Sequence, residues 1–256
     1  MKISDLIAAL DARARVSEDT LDTVKAGNPD ATLTRVAVTM MATVDVIKAA
    51  AEWGAELLIM HESLYFDHRD RLGLTPLAKL KEQLVADTGL TVYRYHDHMH
   101  HLFPDEITIA ELEGLGLHGK LDKTEYFASY RLTLDEPTTA REIARRAREE
   151  LGVKHVRICG AVDRELTHVA ACFGMPGGTF ELLCEDETEL LIIGETVEWK
   201  VCEYARDAAA MGLNKSMIVM GHIGSEREGM KRLTKTLAAE HPDLEFRYFE
   251  CGEVYL

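Results

Sequence analysis

The apolar positions of this chain alternate between a strand-like and a helical spacing. In the first third, short apolar runs rich in β-branched residues alternate with amphipathic segments of helical period. Pro76 and Gly89 bracket one of these segments, as a helix start and a C-cap would. Because strands that alternate with helices usually pair in parallel, the pattern predicts a parallel sheet covered by helices. The predicted helices are residues 3–13, 44–53 and 76–86, and the predicted strands are residues 34–40, 56–60 and 91–95.

The middle of the chain has a different pattern, and the last third returns to the first one. In the middle, strands are predicted at 126–134, 156–159 and 167–173 around a charged helix at 138–151. In the last third, strands are predicted at 190–193, 216–220 and 244–249, with helices at 197–211 and up to about 239. The fold class is therefore α/β. We predict one domain built from both chain ends (1–120 with 187–256) and a smaller inserted α+β unit (121–186).

The composition is that of a globular protein. Of 256 residues, 46% are hydrophobic and 29% are charged, which excludes a disordered chain, a collagen-like repeat and a small disulfide-stapled module. The formal net charge is −15. Since contacts to nucleic-acid phosphates need surplus Lys and Arg, this balance argues against general nucleic-acid binding but still permits one nucleotide in a local pocket.

No segment resembles a targeting signal or a membrane span. Asp5 interrupts the N-terminal apolar run, and Glu52 and Glu56 interrupt the most apolar stretch, which is shorter than the roughly 20 residues a span needs. The five cysteines lie far apart and include no CxxC. They indicate reduced thiols. We expect a cytoplasmic protein that does not bind membranes.

Histidine and carboxylate side chains directly follow three predicted strands. Functional sites of open α/β sheets lie beyond the carboxyl ends of strands, so these side chains predict a metal site assembled from distant segments. Imidazole together with carboxylate suits Zn, Fe, Mn, Co or Ni better than Mg or Ca. The candidate ligands are His61 and Glu62 after 56–60, His96 and His100 after 91–95, and His222 and Glu226 after 216–220.

Their number and spacing favour a dinuclear site. Six donors are too many for one closed tetrahedral site, and pairs four residues apart can face the same way on a helical turn. Alternatives remain open. The run from His96 to His101 could be an adventitious metal-binding tract or an exposed turn. His222 and Glu226 could lie on a solvated helix face. The run is also similar to the H-x-H-x-D-H pattern of metallo-β-lactamases, but that fold begins with β-hairpins.

The three groups, in this order, resemble the Nif-three-like family of dinuclear metal-binding proteins, some of which are known as type 2 GTP cyclohydrolase I. The likeness covers nearly the whole chain and implies the Nif-three-like fold and two divalent transition metal ions. It also implies a ring-shaped homo-oligomer, commonly a hexamer. The family's His-His-Pro corresponds to His61-Glu62-Ser63, and its His-x-x-x-Asp corresponds to the segment from His96 to His100. Its Thr-Gly-Glu corresponds to Ile193-Gly194-Glu195. Its Gly-His-x-x-x-Glu corresponds to the segment from Gly221-His222 to Glu226.

Two departures from the family pattern look coupled. Glu62 stands where the family has its second histidine, and His100 stands where it has an aspartate. Relative to the family pattern, position 62 exchanges an imidazole for a carboxylate, and position 100 exchanges a carboxylate for an imidazole. The numbers of imidazoles and carboxylates in the site are therefore unchanged. We hypothesise that both positions face the same metals and have exchanged roles. The alternative is a degenerate site that binds one metal or none.

Four further residues are candidates for orienting the ligands or for acid–base catalysis, and no catalytic residue is assigned. They are Asp97, His98, His101 and Glu195. Glu195 could equally be a carboxylate favoured by a helix dipole. The turn from Gly174 to Gly178 could form an anion nest, although a plain turn is the better interpretation.

The resemblance implies a hydrolase that uses metal-activated water, of the GTP cyclohydrolase type, acting on a small molecule such as a nucleotide. The alternative is a non-catalytic metal-binding or protein-interaction protein on the same scaffold. Metal stoichiometry and turnover would separate the two functions.

Overall fold

The computed structural model describes residues 1–71 and 75–255. The protein is a mixed α/β structure that divides into two compact units. We call Met1–Glu106 with Met230–Gly252 the first unit, and Ile107–Gly229 with the residues from Glu253 onward the second unit. Within the described residues, no helix is long and apolar enough to cross a membrane.

The secondary-structure elements are numbered in chain order. The strands are β1 (Val24–Ala26), β2 (Arg35–Thr39), β3 (Leu57–Met60), β4 (Thr91–Arg94), β5 (Gly119–Lys123), β6 (Tyr130–Thr139), β7 (Arg157–Gly160), β8 (Glu165–Cys172), β9 (Leu190–Ile193), β10 (Ser216–Val219) and β11 (Glu245–Tyr248). The α-helices are α1 (Ile3–Asp11), α2 (Val44–Trp53), α3 (Pro76–Thr88), α4 (Asp97–His101), α5 (Glu106–Gly114), α6 (Ala140–Glu149), α7 (Thr179–Cys184), α8 (Glu203–Ala210) and α9 (Arg227–Glu240). A π-helical turn (Glu198–Cys202) precedes α8, and a 3₁₀ turn (Ile223–Ser225) precedes α9.

The sheet of the first unit has the strand order β1-β4-β3-β2-β11 across the residues the structure describes. Its strands run parallel except β1, which pairs antiparallel with β4. Every residue of β3 is buried, as in parallel strands covered on both faces. Met60 and Arg94 are register partners, so the carboxyl ends of β3 and β4 lie side by side.

Local signals explain where the covering helices begin and end. The Thr43 hydroxyl accepts a hydrogen bond from the amide of Val46 at the start of α2. The Thr75 hydroxyl does the same at the start of α3, which ends at Gly89 in the left-handed conformation. The predicted start at Pro76 and the predicted C-cap at Gly89 are therefore confirmed, and the helix ends two residues later than the predicted 86.

The second sheet has the order β5-β6-β8-β9-β10-β7 among the described strands. Strands β8, β9 and β10 run parallel, and the remaining pairs are antiparallel. Residues 187–229 thus share a sheet and a compact unit with residues 121–186, which the predicted insertion had separated. The predicted boundary differs from the observed one because the sequence of a short apolar strand such as β9 does not indicate which of two sheets the strand joins. Strands β1 and β5 and helices α4, α5 and α7 were not predicted.

Candidate metal centre

His61 follows β3 in the first unit and is completely buried. Its Nδ1 lies 3.1 Å from the carbonyl oxygen of Tyr95, at the end of the neighbouring strand. Because a carbonyl only accepts hydrogen bonds, Nδ1 carries the proton of the neutral ring. The lone pair of His61 is therefore on Nε2.

The turn that carries the other histidines is built by a distant carboxylate. Asp22 Oδ1 accepts hydrogen bonds from the amides of His96 at 2.7 Å and Asp97 at 2.9 Å, and Oδ2 accepts from the amide of His98 at 2.9 Å. A carboxylate at the first amides of a helix stabilises it both by hydrogen bonding and through the helix dipole. The resulting helix α4 makes the chain turn, so that His96 and His100, one turn apart, share a face.

His100 points its Nε2 at His61. Its Nδ1 lies 2.7 Å from Oδ2 of Asp105, a carboxylate with no exposed surface, so Nδ1 donates and Nε2 bears the lone pair. The two Nε2 atoms of His61 and His100 are 3.2 Å apart. Two lone pairs at this distance repel each other unless a proton or a cation lies between them.

His96 completes a group of three imidazoles. Its ring stacks on that of His61 with centroids 4.6 Å apart, and its Nδ1 lies 2.9 Å from Oδ1 of Asp97. One ligand nitrogen from each of His61, His96 and His100 lies within 4.8 Å of the others. The geometry is that of a group that could hold a metal ion.

The surroundings of His61 disfavour a second proton on its ring. Burial, followed by the charges of His96 and His100, lowers the pKa of His61 well below its usual value, against the opposing charge of Glu62. Burial raises the pKa of Asp97, but the hydrogen bond from His96 and those from residues 20 and 21 outweigh it and leave that pKa low. At neutral pH the His61 ring is neutral, which is the form that binds metals.

Glu62 is held beside this group by a buried guanidinium. Arg94 has no exposed surface, and its Nη2 lies 3.1 Å from Oε2 of Glu62. The same side chain donates to the carbonyl oxygens of His61 and His68 and pairs with Asp70. The other oxygen of Glu62, Oε1, lies 3.6 Å from Nε2 of His96. Glu62 thus presents one oxygen towards the imidazoles.

The second unit contains its own histidine–carboxylate group. Nδ1 of His222 lies 2.7 Å from Oε1 of Glu195, and Nε2 lies 3.2 Å from Oε2 of Glu226. Gly174 makes room for Glu226, because a Cβ at position 174 would lie 2.2 Å from Oε1 of Glu226. The Gly174 carbonyl also accepts from the amides of Gly194 and Glu195, which joins the ends of β8 and β9.

Two of the sequence candidates point elsewhere. Nδ1 of His98 lies 2.7 Å from Oδ2 of Asp22, and its ring stacks on Tyr95. Nδ1 of His101 lies 2.8 Å from the carbonyl oxygen of Asp97, at the surface. These contacts join His98 to the carboxylate that caps α4, and His101 to the backbone of α4.

Comparisons with known proteins identify the family. The sequence profile described as Duf34/NIF3 (NGG1p interacting factor 3) matches residues 1–252. The chain belongs to this family. It is 23% identical to a GTP cyclohydrolase 1 type 2 homolog of Clostridium acetobutylicum, over 93% of this chain and 90% of that protein. A homolog of the same name from Clostridium perfringens is 26% identical, over 88% and 87%.

Solved structures of other proteins share the fold. Protein ybgI, of unknown function, superposes with a TM-score of 0.80 at 18% identity and covers all of both chains. A Bacillus cereus protein related to NIF3 superposes with a TM-score of 0.76 at 13% identity, again over all of both chains. The Nif-three-like fold expected from the sequence is therefore confirmed.

Three residues that the sequence analysis missed shape the centre of this NIF3 family member. Asp105 lies five positions after His100, in a run already rich in ligand types, so its carboxylate was a signal that could have been used. Asp22 and Arg94 gave no comparable signal. Asp22 is 74 residues from His96, and Arg94 is a cation within an apolar strand.

Replacing Asp22 by alanine tests the role of its carboxylate. We expect D22A to lower the free energy of unfolding by about 2–4 kcal/mol, since it removes a helix cap and leaves buried donors of α4 without acceptors. Urea unfolding followed by circular dichroism measures the change. The matched control is D19A, which removes an exposed carboxylate paired with Arg69. Equal midpoints for the two variants would show that Asp22 does not stabilise α4.

Proposed function

We propose that this protein binds two divalent transition metal ions per chain, drawn from Zn, Fe, Mn, Co and Ni, and that it is a metal-dependent hydrolase. The observation that carries the proposal is the 3.2 Å approach of Nε2 of His61 to Nε2 of His100, while both Nδ1 atoms are hydrogen bonded to acceptors. Since His61 resists protonation, a cation relieves the repulsion better than a proton does.

The donors of each unit suit such ions. The first unit supplies the imidazoles of His61, His96 and His100 and one oxygen of Glu62. The second unit supplies His222 and Glu226. Mixed nitrogen and oxygen donors are the ligands that these metals prefer. Asp105 orients His100, as carboxylates commonly orient metal-binding histidines.

Bound metals would supply a water of lowered pKa and would polarise the bond to be cleaved. Glu195 would orient a metal ligand and move protons in this reaction. Oε1 of Glu195 holds the Nδ1 proton of His222 and so leaves Nε2 as the ligating atom. The Glu195 side chain is 52% exposed, so it is able to exchange a proton with solvent during turnover.

A cavity in the second unit has the size for a small-molecule substrate. It encloses about 640 Å³ and is lined by His222 and Glu195 together with Lys154 and Arg157. The names of the clostridial relatives suggest a nucleotide substrate whose ring is opened by hydrolysis, and we extend that suggestion to this chain. By family resemblance we also propose a homo-oligomer, a hexamer.

A second candidate function is favoured by the description of the family as an interacting factor. In this alternative the protein binds metal without catalysis and acts through a protein partner. The two functions differ in one respect: only a hydrolase turns over a substrate once the metals are bound.

Metal content and turnover together test the proposal. Elemental analysis of protein prepared without a histidine tag should find about two transition metal ions per chain. A screen that begins with nucleoside triphosphates should then show hydrolysis that is lost in H222A and retained in H155A, a control in the same cavity. Metal binding without turnover on any nucleotide would favour the interaction protein. One ion or none after reloading with Zn, Mn, Fe and Ni would contradict the two-metal proposal.

A further inference from the structure

Two cysteines of the second unit lie against each other outside the candidate metal centre. Cys159 is on β7, an edge strand of the sheet, and Cys202 ends the π-helical turn before α8. The Cys159 thiol donates a hydrogen bond to the backbone carbonyl oxygen of Cys202, with Sγ 3.7 Å from that oxygen. Both residues are only partly buried, so small solutes can reach them.

The backbone holds the two thiols in register. Arg157 and Cys159 are two positions apart on a strand and therefore share a face, and Glu198 and Cys202 are about one helical turn apart. Arg157 and Glu198 form an ion pair between the same two elements. The hydrogen bond from the Cys159 thiol to the Cys202 carbonyl is thus the second of two adjacent bridges between β7 and the π-helical turn, and it places the two cysteines beside each other.

The pair is electrostatically asymmetric. The hydrogen bond to Cys202, followed by burial, raises the pKa of the Cys159 thiol. The same hydrogen bond lowers the pKa of Cys202, with help from Arg157 and against burial and the charge of Glu198. Cys202 therefore ionises first and is the better nucleophile, while Cys159 stays protonated beside it.

We propose that Cys159 and Cys202 form a reversible disulfide when the protein meets a hydroperoxide. The Cys202 thiolate attacks the peroxide oxygen, the O–O bond breaks, and the leaving oxygen takes up a proton to give water or an alcohol. The sulfur of Cys159 then attacks the sulfenic acid of Cys202; the S–S bond forms and water leaves with the proton of Cys159. Two thiols are oxidised and one peroxide is reduced.

The cross-link would act on the cavity described above. Arg157 and Glu198 line that cavity together with Glu195 and His222, and the π-helical turn begins three residues after Glu195. A disulfide between β7 and the turn would fix this wall. The assignment of the disulfide itself is independent of whether metals bind or substrates are hydrolysed.

Peroxide titration of the full chain tests this inference. We expect loss of two thiols, a mass lower by two hydrogens and a linked peptide containing Cys159 and Cys202, all restored by dithiothreitol. C159S should leave a sulfenic acid on Cys202 that dimedone traps. C202S should slow the oxidation of Cys159 by at least about tenfold, because the better nucleophile is gone. Trp199, 78% exposed in the same turn, offers a fluorescence signal that should change on oxidation and return on reduction.

C184S is the matched control, because Cys184 is partly buried in the same unit. It should form the linked peptide at the rate of the parent protein. Stable oxidation of Cys202 in the parent without a linked peptide would overturn the inference, and so would equal amounts of linkage from Cys202 to Cys184 and to Cys159.

Discussion

Replacing His61 by alanine is expected to remove one bound metal ion from each chain. His61 contributes one of the two Nε2 atoms that face each other at 3.2 Å, and its ring stacks on His96. Without it, His100 and His96 remain as two imidazoles and cannot close a three-nitrogen group. We expect the metal affinity of this group to fall by more than about 100-fold, because even losing a partner that only orients a ligand costs about 10–100-fold. Elemental analysis after dialysis against a weak chelator measures the loss.

The neighbouring histidine His101 provides the control for this experiment. It lies at the end of helix α4, which carries His100, and is exposed, and its Nδ1 lies 2.8 Å from the carbonyl oxygen of Asp97. It is not part of the group formed by His61, His96 and His100. H101A should therefore keep the metal content of the parent protein. A second variant, H100A, should behave as H61A does. If H61A and H101A retain the same metal content, His61 is a buried structural histidine and the first group does not bind metal.

The position of this group was largely accessible from the sequence. Residues 56–60 and 91–95 are short apolar runs, and parallel pairing places their carboxyl ends together. His61 and His96 follow those ends directly, so their proximity depends only on strand order. The spacing of His96 and His100 required one more condition, a helical turn, and the structure supplies it as α4.

The supports of the group were not accessible, because they depend on contacts distant in sequence. Asp22 caps α4 from 74 or more residues away. Arg94 lies in a short strand whose pattern does not predict that a cation will be buried. Its burial is tolerated because carbonyl oxygens and two carboxylates surround it. Such compensation depends on the folded positions of residues 61–70, which supply these oxygens.

The unit boundary illustrates a similar limit. Residues 190–193 and 216–219 are buried strands of the kind found in either sheet. Their assignment to the sheet of the first unit followed from the return of the strand–helix alternation. The actual pairing of β9 with β8 depends on side-chain packing across residues 169–172, which local periodicity does not encode.

The exchange of histidine and carboxylate at positions 62 and 100 is expected to be coupled. The single change E62H removes a negative charge from the centre and leaves Arg94 without one of its carboxylates. The single change H100D adds a negative charge opposite Asp105, which now accepts the Nδ1 proton of His100. Like charges at this distance repel each other in a buried site. Both singles should therefore bind metal more weakly than the parent.

The double variant E62H/H100D restores the total charge of the centre. We expect it to bind metal at least about tenfold more tightly than the weaker single variant, a difference of about 1.4 kcal/mol. The coupling free energy of the cycle is larger than this difference by the cost of the other single variant. It should still bind more weakly than the parent, because Arg94 and Asp105 would both face altered partners. Competition with a chromophoric chelator gives all four affinities of the cycle. Additive effects of the two changes would show that the positions act independently, and single variants as tight as the parent would remove the case for an exchange of roles.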